Sequence, residues 1–68
     1  MNVWTPYNGN YVAEMSDLQS NGLFKNNVVT LPDRSPLSFS SFAPVIHNEE
    51  LTHWVCTFEG VTYTIYND

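Results

Sequence analysis

The sequence predicts an α+β fold: one short helix packed on a small antiparallel sheet that ends in a C-terminal β-hairpin. Two stretches lead to this prediction. Residues 51–66 read as two strands that fold back on each other through Glu59-Gly60. Residues 10–20 carry apolar side chains at helical spacing. At 68 residues the chain is expected to form a single compact domain, residues 1–68.

The hairpin has one face that is apolar throughout, because strand side chains point alternately to opposite faces. With a two-residue loop, this face consists of three cross-strand pairs: Trp54 with Ile65, Cys56 with Tyr63 and Phe58 with Val61. The other face is mixed and contains Leu51, His53, Val55, Thr57, Thr62, Thr64 and Tyr66. A two-stranded hairpin is marginally stable by itself in water. The rest of the chain is therefore expected to cover the apolar face.

The N-terminal segment is extended in character and ends in a strong turn signal. Trp4 is expected to pack onto the hairpin as a core residue. Asn8-Gly9 allows two interpretations: it closes a hairpin between residues 3–7 and 10–14, or it leads directly into a helix. We favour the helix.

The predicted helix spans residues 10–20, with Asn10 as its N-cap. Three apolar residues fall on one helical face: Tyr11, Met15 and Leu18. The end of the helix gives the clearest signal. Gly22 suits the left-handed position that follows a helix, and Leu23 can contact Leu18, as in a Schellman ending.

The middle of the chain reads as strands separated by turns. Leu23–Leu31 is predicted as one strand, followed by a turn bracketed by prolines over residues 32–36. Leu37–Phe42 alternates apolar residues with serine. Val45-Ile46 is either a short strand of its own or a bent continuation of that segment. The polar residues 47–50 connect into the hairpin.

The charge balance restricts the classes of partner. Only Lys25 and Arg34 are cationic, against seven carboxylates, which gives a formal net charge of −5. Two cations cannot form a track of phosphate contacts, so we expect no direct nucleic-acid partner. Attraction to an anionic membrane surface is disfavoured for the same reason. Aromatic residues make up 15% of the chain, which argues against an acidic disordered tail.

The expected location is cytoplasmic. The single cysteine, Cys56, cannot form an intrachain disulfide, which is typical of a reducing compartment. The N-terminus lacks the basic region and apolar run of a signal peptide. No segment approaches the roughly 20 apolar residues that a membrane helix needs.

No group of residues predicts catalysis, a metal or a cofactor. The spacing of His47, His53 and Cys56 matches no standard zinc pattern, and strand alternation sends His53 and Cys56 to opposite faces. That alternation also excludes a Cys–His nucleophilic pair. Glu49-Glu50 reads as a solvated acidic turn. A chain this short is expected to have little room for a pocket of several hundred Å³. We therefore predict a non-enzymatic protein.

The second face of the hairpin instead predicts a small acidic protein-binding module, either an inhibitor or an accessory subunit. Leu51, Val55 and Tyr66 are larger and more apolar than a solvated strand face requires. The candidate binding residues are Glu49, Glu50, Leu51, His53, Val55 and Tyr66. Two alternatives remain. The helix or the Phe39/Phe42 segment covers this face within the monomer, or the chain self-assembles as a homo-oligomer by edge pairing of strands.

Overall fold

The computed structural model describes residues 3–68, which form a five-stranded sheet, a three-stranded sheet and one short helix. In chain order the elements are β1 (Thr5–Tyr7), β2 (Asn10–Glu14), α1 (Met15–Ser20), β3 (Phe24–Lys25), β4 (Val28–Thr30), β5 (Pro36–Ser38), β6 (Ala43–His47), β7 (Glu50–Phe58) and β8 (Val61–Tyr66). The large sheet has the order β1-β2-β8-β7-β6, and the small one β3-β4-β5. The α+β class is confirmed at this level. The expectation of an antiparallel sheet is wrong for one neighbour pair, because β2 runs parallel to β8.

The C-terminal hairpin has the predicted register. Its three apolar pairs all form: Trp54 with Ile65, Cys56 with Tyr63 and Phe58 with Val61. Glu59 and Gly60 have φ values of 52° and 81°, the left-handed conformation that a tight two-residue hairpin turn requires. Ile65 and Tyr63 are buried, whereas Phe58 at the far end is 38% exposed. The core therefore covers the hairpin fully at its open end and only partly at the turn, where Val61 still packs against the core.

Residues 10–14 form a strand, so the predicted helix is wrong over this stretch. Asn8-Gly9 closes the β1–β2 hairpin, which is the first of the two interpretations that this turn allows. The cause is non-local. Strand β8 pairs with β7 along one edge, and β2 provides the hydrogen-bonding partner for its other edge. The pairing is parallel and joins Tyr11 to Tyr63 and Ala13 to Ile65. Ladder hydrogen bonds and burial of Ala13 outweigh the intrinsic helix preference of a short segment.

The helix begins at Met15 instead of Asn10, but its end is as predicted. The amide of Leu23 donates to the carbonyl of Leu18 at 2.8 Å, and the amide of Gly22 donates to Gln19 at 3.3 Å. With Gly22 at φ 72°, these bonds form a Schellman ending. Leu18 is fully buried. The six-residue helix is thus held by its C-terminal turn and by burial of this one side chain.

The segment Leu23–Leu31 is two strands and not one. Asn26-Asn27 forms a two-residue turn with φ values of 55° and 62°, and asparagine tolerates this conformation better than most residues. The proline-bracketed turn over 32–36 is present. Strand β5 then ends at Ser38, where a 3₁₀ turn over Phe39–Ser41 begins, so the alternation predicted up to Phe42 stops early.

The helix and the three-stranded sheet pack on the same face of the five-stranded sheet. The core cluster consists of Trp4, Ala13, Leu18, Val29, Leu31, Phe42, Tyr63 and Ile65. Trp4 joins the two sheets: its ring meets Tyr63 edge-on at 5.6 Å, and its Nε1 donates to the Thr30 carbonyl at 2.8 Å. The prediction that Trp4 is a core residue is confirmed.

Candidate interaction face

One face of the five-stranded sheet points away from the core, and we call it the open face. Because paired residues share a face, the strand register assigns its members in three rows. The middle row crosses all five strands and contains Thr5, Val12, Thr64, Val55 and Ala43. One flanking row contains Glu14, Tyr66, His53 and Val45. The other contains Tyr7, Asn10, Thr62 and Thr57. None of these residues belongs to the core cluster or packs against it.

The helix and the Phe39/Phe42 segment do not cover the open face. The ring of Phe39 lies 5.3 Å from that of Trp54, on the core side of the hairpin, and Phe42 stacks on Phe39 at 5.8 Å. Leu18 brings the helix onto that same side. In residues 3–68, therefore, neither the helix nor the Phe39/Phe42 segment buries the second face of the hairpin.

The open face contains a groove of about 440 Å³, lined by Thr5, Tyr7, Val12 and Tyr66. Tyr7 is 66% exposed and Tyr66 is 45% exposed, and they are among the largest exposed side chains of the protein. A tyrosine combines an apolar ring with a hydroxyl that can donate or accept a hydrogen bond, and it is enriched at protein interfaces. The groove thus offers an apolar floor at Val12 between two amphipathic walls.

The histidine beside the groove is held in one orientation. The His53 ring lies 5.4 Å from the Tyr66 ring. The Thr52 hydroxyl donates to the Val45 carbonyl at 3.1 Å, so its single proton is used. In the 2.9 Å contact between Thr52 Oγ1 and His53 Nδ1, the histidine is therefore the donor. When the ring is neutral, His53 Nε2 is then an acceptor for a partner's hydrogen bond, and when it is protonated, Nε2 is a donor.

Three of the predicted binding residues lie together on the open face, namely His53, Val55 and Tyr66. Leu51 does not join them, which corrects its assignment. The β6–β7 register shifts between Val45 and Ile46, so that Val45 pairs with His53 but Ile46 pairs with Leu51. Since Ile46 follows Val45 along a regularly alternating strand, it points to the opposite face, and its partner Leu51 goes with it.

The two predicted glutamates lie at the β6–β7 turn. Glu49 is in the turn itself with φ 67°, and Glu50 pairs with His47 at the start of β7. Both are exposed. His47 is two residues after Val45 on β6, so the register puts Glu50 on the same side as the open face, at the margin of the sheet, while Glu49 stays in the turn.

The sequence interpretation missed the groove residues Thr5, Tyr7 and Val12. They were overlooked because residues 10–14 were assigned to a helix, which removes β1 and β2 from the sheet. The signal that could have found them is Asn8-Gly9. If Asn8-Gly9 is read as a hairpin turn, Thr5 pairs with Val12, and both residues lie on the open face.

Comparison with protein-family models, curated proteins and solved structures finds no match. The roles of these residues therefore have to be inferred from their positions, contacts and charges in this chain.

Charge is distributed unevenly around the open face. Lys25 lies in β3 and Arg34 in the turn that follows β4, so both cations belong to the three-stranded side of the molecule. Glu14 is on the open face beside Tyr66. Asp68 lies close by, and a hydrogen bond between the two carboxyl groups, together with their like charge, raises the pKa of Glu14. The edge of the groove is therefore acidic.

Asp68 is tied to the start of the helix. Its carboxylate accepts hydrogen bonds from the Ser16 amide at 3.0 Å and the Ser16 hydroxyl at 2.8 Å. The hydrogen bond from Glu14, with these two bonds, lowers the pKa of Asp68. Of the two carboxyl groups, Asp68 therefore loses its proton at a lower pH than Glu14 does.

Three observations on residues 3–68 concern metal binding, Cys–His pairing and membrane spans. No group of three or more His, Cys, Asp or Glu side chains in this part of the chain could hold a metal ion. Cys56 and His53 lie on opposite faces of β7, as strand alternation predicts. No helix in the described segment is long and apolar enough to cross a membrane. The expectation of little room for a pocket is wrong, because a second cleft of about 420 Å³ lies on the core side.

Proposed function

We propose that this protein is a small protein-binding module, an inhibitor or an accessory subunit, that acts by contact through its open face. The observation that carries the proposal is the groove between Tyr7 and Tyr66, on a sheet face that neither the helix nor the second sheet covers. Exposed apolar and aromatic surface of this kind is typical of sites of protein contact. Tyrosine is also among the residues that contribute most to binding free energy at interfaces.

Charge complementarity indicates what the partner presents. The open face has no Lys or Arg, its edge carries Glu14 and Asp68, and the whole chain has a net charge of −5. A partner with lysine or arginine side chains around one aliphatic or aromatic residue fits this arrangement. The apolar residue would enter the groove over Val12, and the cations would speed association by attraction to the acidic edge.

Edge pairing, the route considered for a homo-oligomer, is disfavoured by three prolines. Pro6 lies in β1 and Pro44 in β6, the two edges of the large sheet, and Pro36 lies in β5 at one edge of the small sheet. The remaining edge, β3, has only two residues. Proline and short length are the usual means by which sheets avoid edge-to-edge pairing. Two open faces packed together would also bring two acidic edges into contact.

The test uses three single-residue variants. Tyr7→Ser and Tyr66→Ser remove the walls of the groove. Ile46→Ser is the matched control, since Ile46 is 65% exposed, like Tyr7, but lies off the open face. Immobilised wild-type protein captures partners from a lysate of the organism that encodes it, and the Kd of the purified partner is then measured for each variant. Light scattering gives the oligomeric state of each pure variant.

We expect one basic partner that binds wild type and Ile46→Ser equally. Its binding to Tyr66→Ser should be about tenfold weaker or more, because tyrosine is enriched among the hot-spot residues whose truncation costs about 2 kcal/mol or more. Equal binding to all four proteins would contradict the proposal. A wild-type dimer that Tyr66→Ser converts to a monomer would instead assign the open face to self-association.

A further inference from the structure

A second concave site lies on the core side of the molecule, opposite the open face. This cleft of about 420 Å³ is bounded by Pro6 and Tyr11 on the large sheet and by Pro32 and Arg34 on the turn after β4. Pro6 and Tyr11 are cross-strand partners, which places them on one face. Tyr11 is only partly buried, and its ring stacks on that of Tyr63 at 5.9 Å. A volume of this size suits a small molecule, and apolar walls with a few polar groups are typical of such sites.

Arg34 is held at this cleft by the tight hairpin loop that joins β4 to β5. Its φ is 73°, which is unfavourable for a long side chain without a local reason. Glu49 and Glu59 also have positive φ, but each lies in a two-residue hairpin turn that needs it. Arg34 is likewise the last residue of a three-residue hairpin loop between β4 and β5. Its amide donates to the Leu31 carbonyl at 2.8 Å, and the Leu31 amide donates to the Ser35 carbonyl at 2.9 Å. A type I turn closed in this way needs a left-handed third residue, so the loop itself accounts for the φ of Arg34.

The neighbouring carboxylate is already engaged. Asp33 accepts hydrogen bonds from the Ser35 hydroxyl at 2.6 Å and from the Ser35 amide at 3.0 Å. These bonds hold the pKa of Asp33 below its usual value, so it stays ionised and directed at Ser35. Arg34 is one of only two lysine or arginine residues in the sequence, and it lines the cleft together with Tyr11, Pro6 and Pro32.

We propose that this cleft binds a small organic acid whose carboxylate pairs with Arg34 and whose flat apolar group packs against Tyr11 and the prolines. A guanidinium matches a carboxylate with two parallel hydrogen bonds, which fixes the ligand's orientation. The apolar part gains by leaving water for the cleft walls. The site is separate from the open face, so the two can be occupied independently.

The net charge of −5 opposes a free anion, so direct contact with Arg34 has to supply the attraction. The remaining cation, Lys25, does not line the cleft. Lys25 therefore provides a matched control: its replacement changes the net charge by the same amount and leaves the cleft intact.

The experiment is a titration of the isotopically labelled protein with phenylacetate, followed by backbone and indole NMR shifts. Phenylacetamide, which has the same shape without the charge, is the comparison ligand. The proteins are wild type, Arg34→Gln, Arg34→Lys and Lys25→Gln. Well-dispersed spectra verify that each variant is folded, and Arg34→Lys keeps the charge but loses the two-pronged geometry.

We expect phenylacetate to shift the resonances of Tyr11, Leu31 and Trp4 with a Kd of about 1 mM, a value ordinary for so small a ligand. Lys25→Gln should bind as wild type does. Arg34→Gln should bind about tenfold more weakly or worse, with Arg34→Lys between them. Three results would each overturn the proposal. Phenylacetamide could bind as tightly as phenylacetate, Lys25→Gln could weaken binding as much as Arg34→Gln, or the shifts could be confined to Tyr7 and Tyr66.

Discussion

The two faces of the five-stranded sheet are built from the same strands but differ in what they contact. Along β8, Tyr63 and Ile65 are buried in the core, whereas Thr64 and Tyr66 lie on the open face. Neighbours one position apart therefore have different roles: one residue stabilises the fold and the next is available to a partner. Strand alternation creates this division, and the position of the helix and the second sheet decides which face is which.

The largest expected effect is on the core face. Ile65→Ala should lower the free energy of unfolding by about 2–5 kcal/mol, because it leaves a cavity beneath a fully buried side chain. Thr64→Ala, one residue away, should cost less than about 1 kcal/mol. Urea denaturation of both variants measures the difference. Similar costs at the two positions would mean that the open face is covered after all.

Within the core face, residues closer to the hairpin turn should contribute less to the free energy of unfolding. Phe58 lies on that face but is 38% exposed, whereas Trp54 packs against the core cluster. Trp54→Ala should cost about 3–5 kcal/mol, and Phe58→Ala only about 1 kcal/mol, since less apolar area leaves water there. Thermal unfolding of the two variants provides the comparison, and a larger loss for Phe58→Ala would contradict it.

On the open face, Tyr66→Glu should leave the fold intact and abolish association. The added carboxylate points into solvent in the monomer, between His53 and Glu14. Repulsion from Glu14 is the main cost, so the free energy of unfolding should fall by no more than about 1 kcal/mol. In a complex the carboxylate would replace the aromatic wall of the groove and would have to lose its water against the partner's apolar residue. Far-UV circular dichroism and a binding measurement on the same sample separate the two effects. Loss of folding would show that Tyr66 belongs to the core.

The smallest expected effect is a change in melting temperature when Glu14, which is next to the buried Ala13, is replaced. Because the hydrogen bond with Asp68 and its like charge raise the pKa of Glu14 in the folded state, the stability that Glu14 contributes is present below its unfolded pKa and is lost as pH rises through the folded pKa. Glu14→Gln should therefore melt slightly higher than wild type at neutral pH. The difference should vanish below about pH 4. Melting curves across this range measure it, and an unchanged difference at acid pH would exclude this origin.

The sequence by itself determined the features that depend on near neighbours. The 51–66 hairpin follows from alternation around a two-residue turn, and its pairing register needs no distant contact. The end of the helix at Gly22 depends only on residues within five positions of it. The net charge likewise follows from composition. Strand alternation alone puts His53 and Cys56 on opposite faces of β7.

Tertiary structure decided the features that depend on distant residues. Residues 10–14 are a strand because the free edge of β8, some fifty residues away, pairs with them, and no local propensity encodes that partner. Leu51 changes face because β7 carries one extra residue opposite β6, a shift that the sequence of β7 does not reveal. Whether the second face of the hairpin is core or surface was open in the sequence for the same reason. Burial depends on where α1 and the three-stranded sheet pack, and only the assembled fold fixes that position.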